Sequence, residues 1–396
     1  MMLSFDDACE ALAYVARPLG TEFVGLDAAC GRVLAADLVA RRTAPEAATS
    51  AMDGYAVRDC DVAAGPARLR IVGESFAGPK AFGRPLDPGD CVRIFTGARL
   101  PPGADRVVIQ ESVERDGNAV LVAEAPAARH VRAAGSDFSR GEILLDAGCL
   151  ITPNALVTAA AADYETLEVY RRPRVRILST GDELAEPGFA SNTPGRIPES
   201  ISFGVAALTR AWGGEVVGRQ RLGDDLSVLR PAAGLALNDC HIVVVTGGAS
   251  VGERDHARAM FAPFGLTPIF TKVAMKPGKP IWIGAVGERI VLGLPGNPSA
   301  AMVTARLFLA PLLAGMTGRP AREALCWRAA PLAAPLASCS DRESFHRARS
   351  DPDGVRPIRN QDSSAQKDLA VADLLIRRRA GARPLERGDV VEVLAF

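Results

Sequence analysis

The chain has 396 residues, 48% hydrophobic and 23% charged, which are the proportions of an ordinary globular protein long enough for two to four domains. Basic and acidic residues balance at 46 each and aromatics make up only 5%, so neither the basic surface nor the stacking residues of a nucleic-acid binder are present. Any anion recognition has to be local.

The amino terminus, MMLSFDDACE, is acidic and lacks an apolar stretch, which predicts a cytoplasmic protein. No run of eighteen apolar residues occurs. Residues 300–316 come nearest, but Arg306 and Pro311 interrupt them, so they read as a buried helix and not a membrane span. Eight cysteines stand singly with no Cys-x-x-Cys pair, and the four histidines are far apart. That pattern argues against a disulfide scaffold and against zinc.

In chain order, residues 4–17 read as an amphipathic helix and residues 30–38 as a second, shorter one. Between 46 and 140, Gly, Pro and Asp punctuate the short β-type runs RLRIVGE, CVRIFTG, DRVVIQE and AVLVAEA, the pattern of a small sandwich or barrel. Thr152-Pro153 then gives a hydroxyl N-cap with proline in the first turn of a helix over 153–163. From Arg174 the pattern becomes α/β. RVRILST and HIVVVTGG are buried, parallel-type strands running into glycine-rich or acidic loops, with helices over 203–212 and 225–235. IWIGAV and RIVLGLPG follow as strands and 299–313 as a helix. Together these predict a doubly wound sheet whose ligand site lies beyond the C-terminal strand ends. After Gly318-Arg319-Pro320 short β runs return. The closing LERGDVVEVLAF echoes LDPGDCVRIFTG at 86–97, as shared Gly-Asp turn chemistry rather than a repeat. The resulting segments are 1–45 with 138–172, an inserted β domain at 46–137, an α/β domain at 173–318 and a β domain at 319–396.

Four loops fall at the expected C-terminal edge. Ser179-Thr180-Gly181-Asp182-Glu183-Leu184 combines a glycine and hydroxyls, which let backbone N–H groups approach an anion, with carboxylates able to hold a divalent cation. Thr246-Gly247-Gly248-Ala249-Ser250-Val251-Gly252-Glu253-Arg254-Asp255 also follows a strand and ends as a helix begins. It matches neither the dinucleotide fingerprint nor the P-loop, and suits phosphate or pyrophosphate binding. The third loop, TKVAMKPGKP, holds Lys272, Lys276 and Lys279, three of the chain's five lysines. Lysine is a compact point charge, and a cluster of lysines in an arginine-rich chain suits a tetrahedral oxyanion in a confined space. The fourth, Leu294-Pro295-Gly296-Asn297-Pro298, is a backbone stiffened by two prolines ahead of a helix. The combination fits magnesium-assisted chemistry on a phosphorylated ligand.

These loops, with Ser50-Ala51-Met52-Asp53-Gly54-Tyr55-Ala56 and Arg93-Ile94-Phe95-Thr96-Gly97-Ala98 upstream, resemble the molybdopterin molybdenumtransferase family, which includes the bacterial MoeA enzymes and the E domain of gephyrin. The STGDEL and GG-x-SVG core alone also fits molybdopterin adenylyltransferases. The SAMDGYA and RIFTGA blocks and the C-terminal β domain favour the molybdenumtransferase. The resemblance implies a multidomain α/β plus β fold, with a three-layer α/β molybdopterin-binding domain, small β domains and a C-terminal β-barrel-like domain. It also implies an elongated homodimer in which one subunit's α/β domain faces the other's SAMDGYA region.

The implied reaction inserts molybdate into adenylylated molybdopterin with release of AMP and dependence on Mg2+. Other molybdenum-cofactor biosynthesis proteins are implied partners. By motif position the resemblance assigns catalytic roles to Asp53, Asp137, Glu183, Asp255, Lys272 and Lys276, the lysines holding molybdate or phosphate. It assigns the metal to Asp182, Glu183, Glu253 and Asp255, with Asp224 or Asp225. It assigns the pterin ligand to Thr180, Gly181, Gly247, Gly248, Ser250, Gly252, Pro295, Gly296, Asn297 and Pro298, with Arg342 or Arg347 and Ser363 or Ser364 from the C-terminal domain. The chain departs from the family pattern where Ile201 replaces an asparagine and where Asp341-Arg342 replaces Gly-Arg. Those changes imply altered substrate handling around Ile201, or a diverged, non-catalytic paralogue.

Overall fold

The computed structural model describes residues 2–78, 82–125, 127–247 and 256–396. Contacts divide the chain into two compact units. One comprises Phe23–Cys30 and Ala36–Leu167. The other comprises Met1–Glu22, Gly31–Ala35 and Glu168–Phe396.

The 36–167 unit is built on a six-stranded sheet, and all four β runs expected from the sequence are in it: Ala67–Ser75, Asp90–Ile94, Arg106–Ile109 and Ala119–Val122. Gly54–Val57 and Val113–Asp116 complete it, and Tyr55, Val57, Leu69, Cys91, Val108, Val120 and Val122 form its core. The helix Pro153–Ala161 begins as the sequence indicates, with the Thr152 hydroxyl accepting from Ala155 N at 3.2 Å. The helix expected over 30–38 is absent. A single helical turn, Leu26–Ala29, ends at Cys30, and Gly31 has a φ of +74° that stops its continuation.

In the larger unit a six-stranded sheet has the order Glu215–Leu222, Arg174–Thr180, Ile242–Thr246, Arg289–Leu294, Trp282–Val286, Thr267–Phe270. The first four strands are parallel, and the inner three are mostly buried, as their β-branched runs require, while the edge strand Glu215–Leu222 is largely exposed. The last two are antiparallel, so the sheet is mixed and not wholly parallel-type. A short Gly287 turn joins Trp282–Val286 to Arg289–Leu294, and a link of two residues can only make a hairpin. From Arg174–Thr180 the chain adds Glu215–Leu222 on one side and then returns to add Ile242–Thr246 on the other. This reversal opens a crevice at the strand ends.

Residues 298–316 form a continuous helix with a π-turn at Ala305–Leu309. It is apolar and long enough to cross a membrane, but 94% of it is buried inside the protein. The buried Arg306 donates to the carbonyls of Ala395 and Ala324 at 2.8 Å each, which satisfies its charge without an acid.

The second sheet of this unit runs Met275–Lys276, Glu343–Asp351, Leu374–Arg378, Val390–Ala395, Arg328–Pro331, with Gly354–Pro357 paired to Glu343–Asp351. The echo between the two Gly-Asp turns has a common geometry. Asp90 N donates to Asp87 O and Asp389 N to Glu386 O, at 3.1 and 3.2 Å, each following a glycine with positive φ.

The amino-terminal helix, Phe5–Val15, is capped by Ser4 and ties these layers together. The Phe5 ring lies 5.7 Å edge-on from Phe308 of the buried helix and 4.7 Å from Phe345 of the second sheet. Phe5→Ala removes the ring that joins three elements and should cost about 3–5 kcal/mol. Denaturant titration checks this; a midpoint within error of the wild type would show that the three elements do not depend on this contact.

Candidate active site

The C-terminal ends of the four parallel strands release their loops at one edge of the sheet. Gly181, Gly223, Gly247 and Pro295 are the first residues beyond them. The strand ends are locked by hydroxyls. Thr180 Oγ1 donates to Thr246 O at 3.4 Å, and Thr246 Oγ1 donates to Ser179 Oγ at 3.1 Å. Gly247 has a φ of +92°, and a Cβ there would stand 2.3 Å from the Thr180 carbonyl oxygen, so no other residue fits that approach.

A cavity of about 670 Å³ lies at this edge. Thr180, Gly181, Glu183 and Leu184 line it from the first loop, Thr246 and Gly247 from the second, and Pro295, Gly296, Asn297 and Pro298 from the fourth. Ile197, Pro198, Glu199, Ser200, Ile201, Asp224, Pro280, Ser364 and Gln366 complete the wall. Among the described residues, every charged residue of that wall is an acid: Glu183, Glu199 and Asp224.

The sequence left two aspartates open, and the structure gives them different work. Asp225 caps the helix Leu226–Asp239 by accepting from Ser227 N at 2.8 Å, and that bond holds its pKa below the ordinary value. Asp224 lines the cavity, and its backbone N donates to Asp182 Oδ1 at 3.1 Å. Glu199, which the sequence reading did not single out, is 5% exposed. It accepts from Ser202 N at 2.9 Å and from Ser202 Oγ at 2.5 Å, while Arg219 donates to the same hydroxyl at 3.0 Å. An acid just ahead of a helix start, where a side-chain oxygen can accept from the first free amides, was the available signal.

Arg347 is buried, at 1% exposure, and holds the wall without lining it. Its guanidinium donates to Ser299 Oγ at 2.5 Å and to the carbonyls of Ala365, Asn360 and Asp362 at 2.8–3.0 Å. It thereby fastens the 360–365 loop to the start of the buried helix. Asn297 Nδ2 donates to Ser363 Oγ at 2.9 Å, and the Ser363 carbonyl accepts from Ser299 N at 2.9 Å. Ser364, rather than Ser363, lines the cavity. Arg342 is half-buried and does not line the cavity.

The lysine segment belongs to the second sheet. Met275–Lys276 pairs with Glu343 and Ser344, and Val273 bridges Leu3. Pro280 lines the cavity, whereas Lys272, Lys276 and Lys279 do not; Lys272 is half-buried and the other two are exposed. Among the described residues no group of three or more His, Cys, Asp or Glu could hold a metal ion. Gly248, Ser250, Gly252, Glu253 and Asp255 lie outside the described residues.

In the other unit the SAMDGYA and RIFTGA blocks meet. Gly54 and Tyr55 pair with Ile94 and Arg93, and Asp53 Oδ1 accepts from Thr96 N at 2.7 Å and Thr96 Oγ1 at 2.8 Å. Asp137 is exposed in a turn, with its N–H bonded to Ala44 O at 3.1 Å.

Family models cover most of the sequence: "MoeA N-terminal region (domain I and II)" at residues 3–162, "probable molybdopterin binding domain" at 176–315 and "MoeA C-terminal region (domain IV)" at 329–396. The molybdopterin molybdenumtransferase of Synechococcus elongatus is 35% identical over 406 residues, covering 99% of each chain. The chain belongs to the molybdopterin molybdenumtransferase family. The Haemophilus influenzae member is 35% identical over 80% of this chain and 78% of its own. The molybdopterin biosynthesis moeA protein of Pyrococcus horikoshii has the same fold, with a TM-score of 0.85 and 26% identity over all of both chains.

Thr96 holds the Asp53 carboxyl below the usual range, chiefly through its backbone N–H and then its hydroxyl. Thr96→Val should therefore move the Asp53 titration upward in carboxyl NMR; no movement would remove the hydroxyl as a cause. The sign is that of a depressed carboxylate: the stabilisation is present above the unfolded pKa and lost as pH falls through the folded one. Arg347→Met leaves carbonyls without their donor and should cost about 2–4 kcal/mol in denaturant titration. A wild-type midpoint would show that the 360–365 loop stands without it.

Proposed function

We propose that this chain is an active molybdenumtransferase that inserts molybdenum, supplied as molybdate, into adenylylated molybdopterin and releases AMP. The observation that carries the reading is the cavity at the parallel strand ends, walled by the STGDEL, Gly247 and Pro295–Pro298 loops, in a chain aligned end to end with a molybdenumtransferase. Its volume, about 670 Å³, suits a nucleotide-sized ligand.

Glu183 and Asp224 on the cavity wall are hard oxygen donors of the kind magnesium takes, and Asp182, Asp225, Glu253 and Asp255 are further carboxylates of the same loops. Together they are the residues that would hold the ion, which when bound neutralises pyrophosphate charge. Thr180, Gly181, Gly247, Gly248, Ser250 and Gly252 bind the ligand through backbone and hydroxyl groups. Pro295, Gly296, Asn297 and Pro298 shape the cavity, and Arg347 and Ser363 position its wall. Lys272 and Lys276 bind the oxyanion.

The same reading makes the protein a cytoplasmic homodimer, with Asp53 and Asp137 serving the cavity of the partner subunit. It also divides the chain into four domains: 1–45 with 138–172, 46–137, 173–318 and 319–396. A second reading, a protein that binds the pterin without turnover, is favoured by Ile201, which puts an apolar side chain in the cavity wall where the family pattern has an amide.

Incubation with adenylylated molybdopterin, Mg2+ and molybdate should release AMP, measured chromatographically, and yield cofactor that reconstitutes an apo-molybdoenzyme. Absence of AMP alongside tight pterin binding in calorimetry would replace the first reading with the second. Lys276→Ala should raise the molybdate concentration needed for half-maximal rate about tenfold, with pterin affinity changed far less. An unchanged molybdate dependence would remove Lys276 from that role.

A further inference from the structure

One face of the second sheet gathers cations and leaves them without acids. Glu343–Asp351 runs between Met275–Lys276 and Leu374–Arg378, and the register sets Lys276 on one side of Ser344 and Arg378 on the other. Opposed residues share a sheet face, as do residues two apart on one strand, and diagonal neighbours are within reach of long side chains. Lys276, Ser344, Arg378 and His346 therefore occupy one face.

Ser344 is 5% and Arg378 is 4% exposed. Two nitrogens buried here make no hydrogen bond, Nε2 of His346 and Nη1 of Arg378. Arg378 donates from its other terminal nitrogen to the Arg383 carbonyl, and the Ser344 hydroxyl has only a long bond, 3.4 Å, to Arg342 O. No ion pair engages Arg378 or Lys276 among the described residues. Burial pushes the His346 imidazole down to about 4, with Arg378 and then Lys276 acting in the same direction and no carboxylate opposing them.

The opposite face of the same strands is handled differently. There Arg377 pairs with Glu343 and Asp6. Folded proteins rarely leave a buried guanidinium nitrogen and a buried imidazole nitrogen unbonded, and two on one face, beside a weakly bonded hydroxyl and an ammonium, call for an acceptor with several oxygens.

We propose that Ser344, His346, Arg378 and Lys276 form a binding site for a tetrahedral oxyanion of the phosphate, sulfate and molybdate class. None of the four lines the cavity described above; Lys276 is shared with the oxyanion role proposed for the reaction, and for that residue the site rests on that reading, whereas Ser344, His346 and Arg378 take no part in it.

The test is calorimetric titration of the full chain with phosphate, sulfate and molybdate in separate arms, repeated on His346→Phe and Arg378→Met. Binding of at least one anion to the wild type is expected, weakened about tenfold or more in each variant. The preferred arm identifies the source. Imidazole NMR of the wild type gives a reading that survives a variant failing to fold. The His346 resonances should shift on anion addition while those of His130 and His241 stay in place. No binding in any arm, equal binding in both folded variants, or an unmoved His346 would each overturn the proposal.

Discussion

The larger unit depends on one close approach of two backbones, where Gly247 passes against the carbonyl oxygen of Thr180. A side chain there would push apart the ends of Arg174–Thr180 and Ile242–Thr246, the two strands between which the chain reverses its winding. Gly296 packs in turn against Gly247, with room for a Cβ only 3.4 Å from its Cα. The STGDEL and Pro295–Pro298 loops are thereby drawn to the same edge, and the cavity between them follows from that approach rather than from any one side chain.

Around this edge the fold uses polar groups to hold loops still. Glu199 and Asp225 are each spent on a helix start, and Arg347 on three carbonyls and a hydroxyl. Rigid support of this kind lets the wall residues keep their positions without contacting a ligand themselves. The amino-terminal helix plays a comparable part at a distance, since Phe5 packs between the buried helix and the second sheet while Asp6 reaches Arg377.

Much of this was legible in the sequence because it rests on local rules. Strands such as Ile242–Thr246 announce themselves by β-branched runs ending in glycine, and Thr152-Pro153 announces a helix start. What was not legible rests on long-range pairing. Trp282–Val286 reads as readily parallel as antiparallel until the Gly287 turn is seen to leave no room for a crossover. Lys276 sits in a loop-like, Pro-Gly-rich stretch, yet it pairs with a strand nearly seventy residues later. Which of Asp224 and Asp225 lines the cavity turned on which of the two adjacent carboxylates the following helix takes as its cap, and that is decided by backbone direction at a single bond.

The acidic wall and the capped helix together set how a charged guest can be received. The first amide of the helix beginning at Pro298 is taken by the Ser363 carbonyl, so it is not offered to a phosphate, and no lysine or arginine stands on the described wall. On the described wall a polyanion therefore meets three carboxylates, and the lysines proposed to bind its oxyanion stand off that wall. Its residence there is governed by the countercation that accompanies it, so affinity should follow the supply of divalent cation instead of simply falling as salt is added.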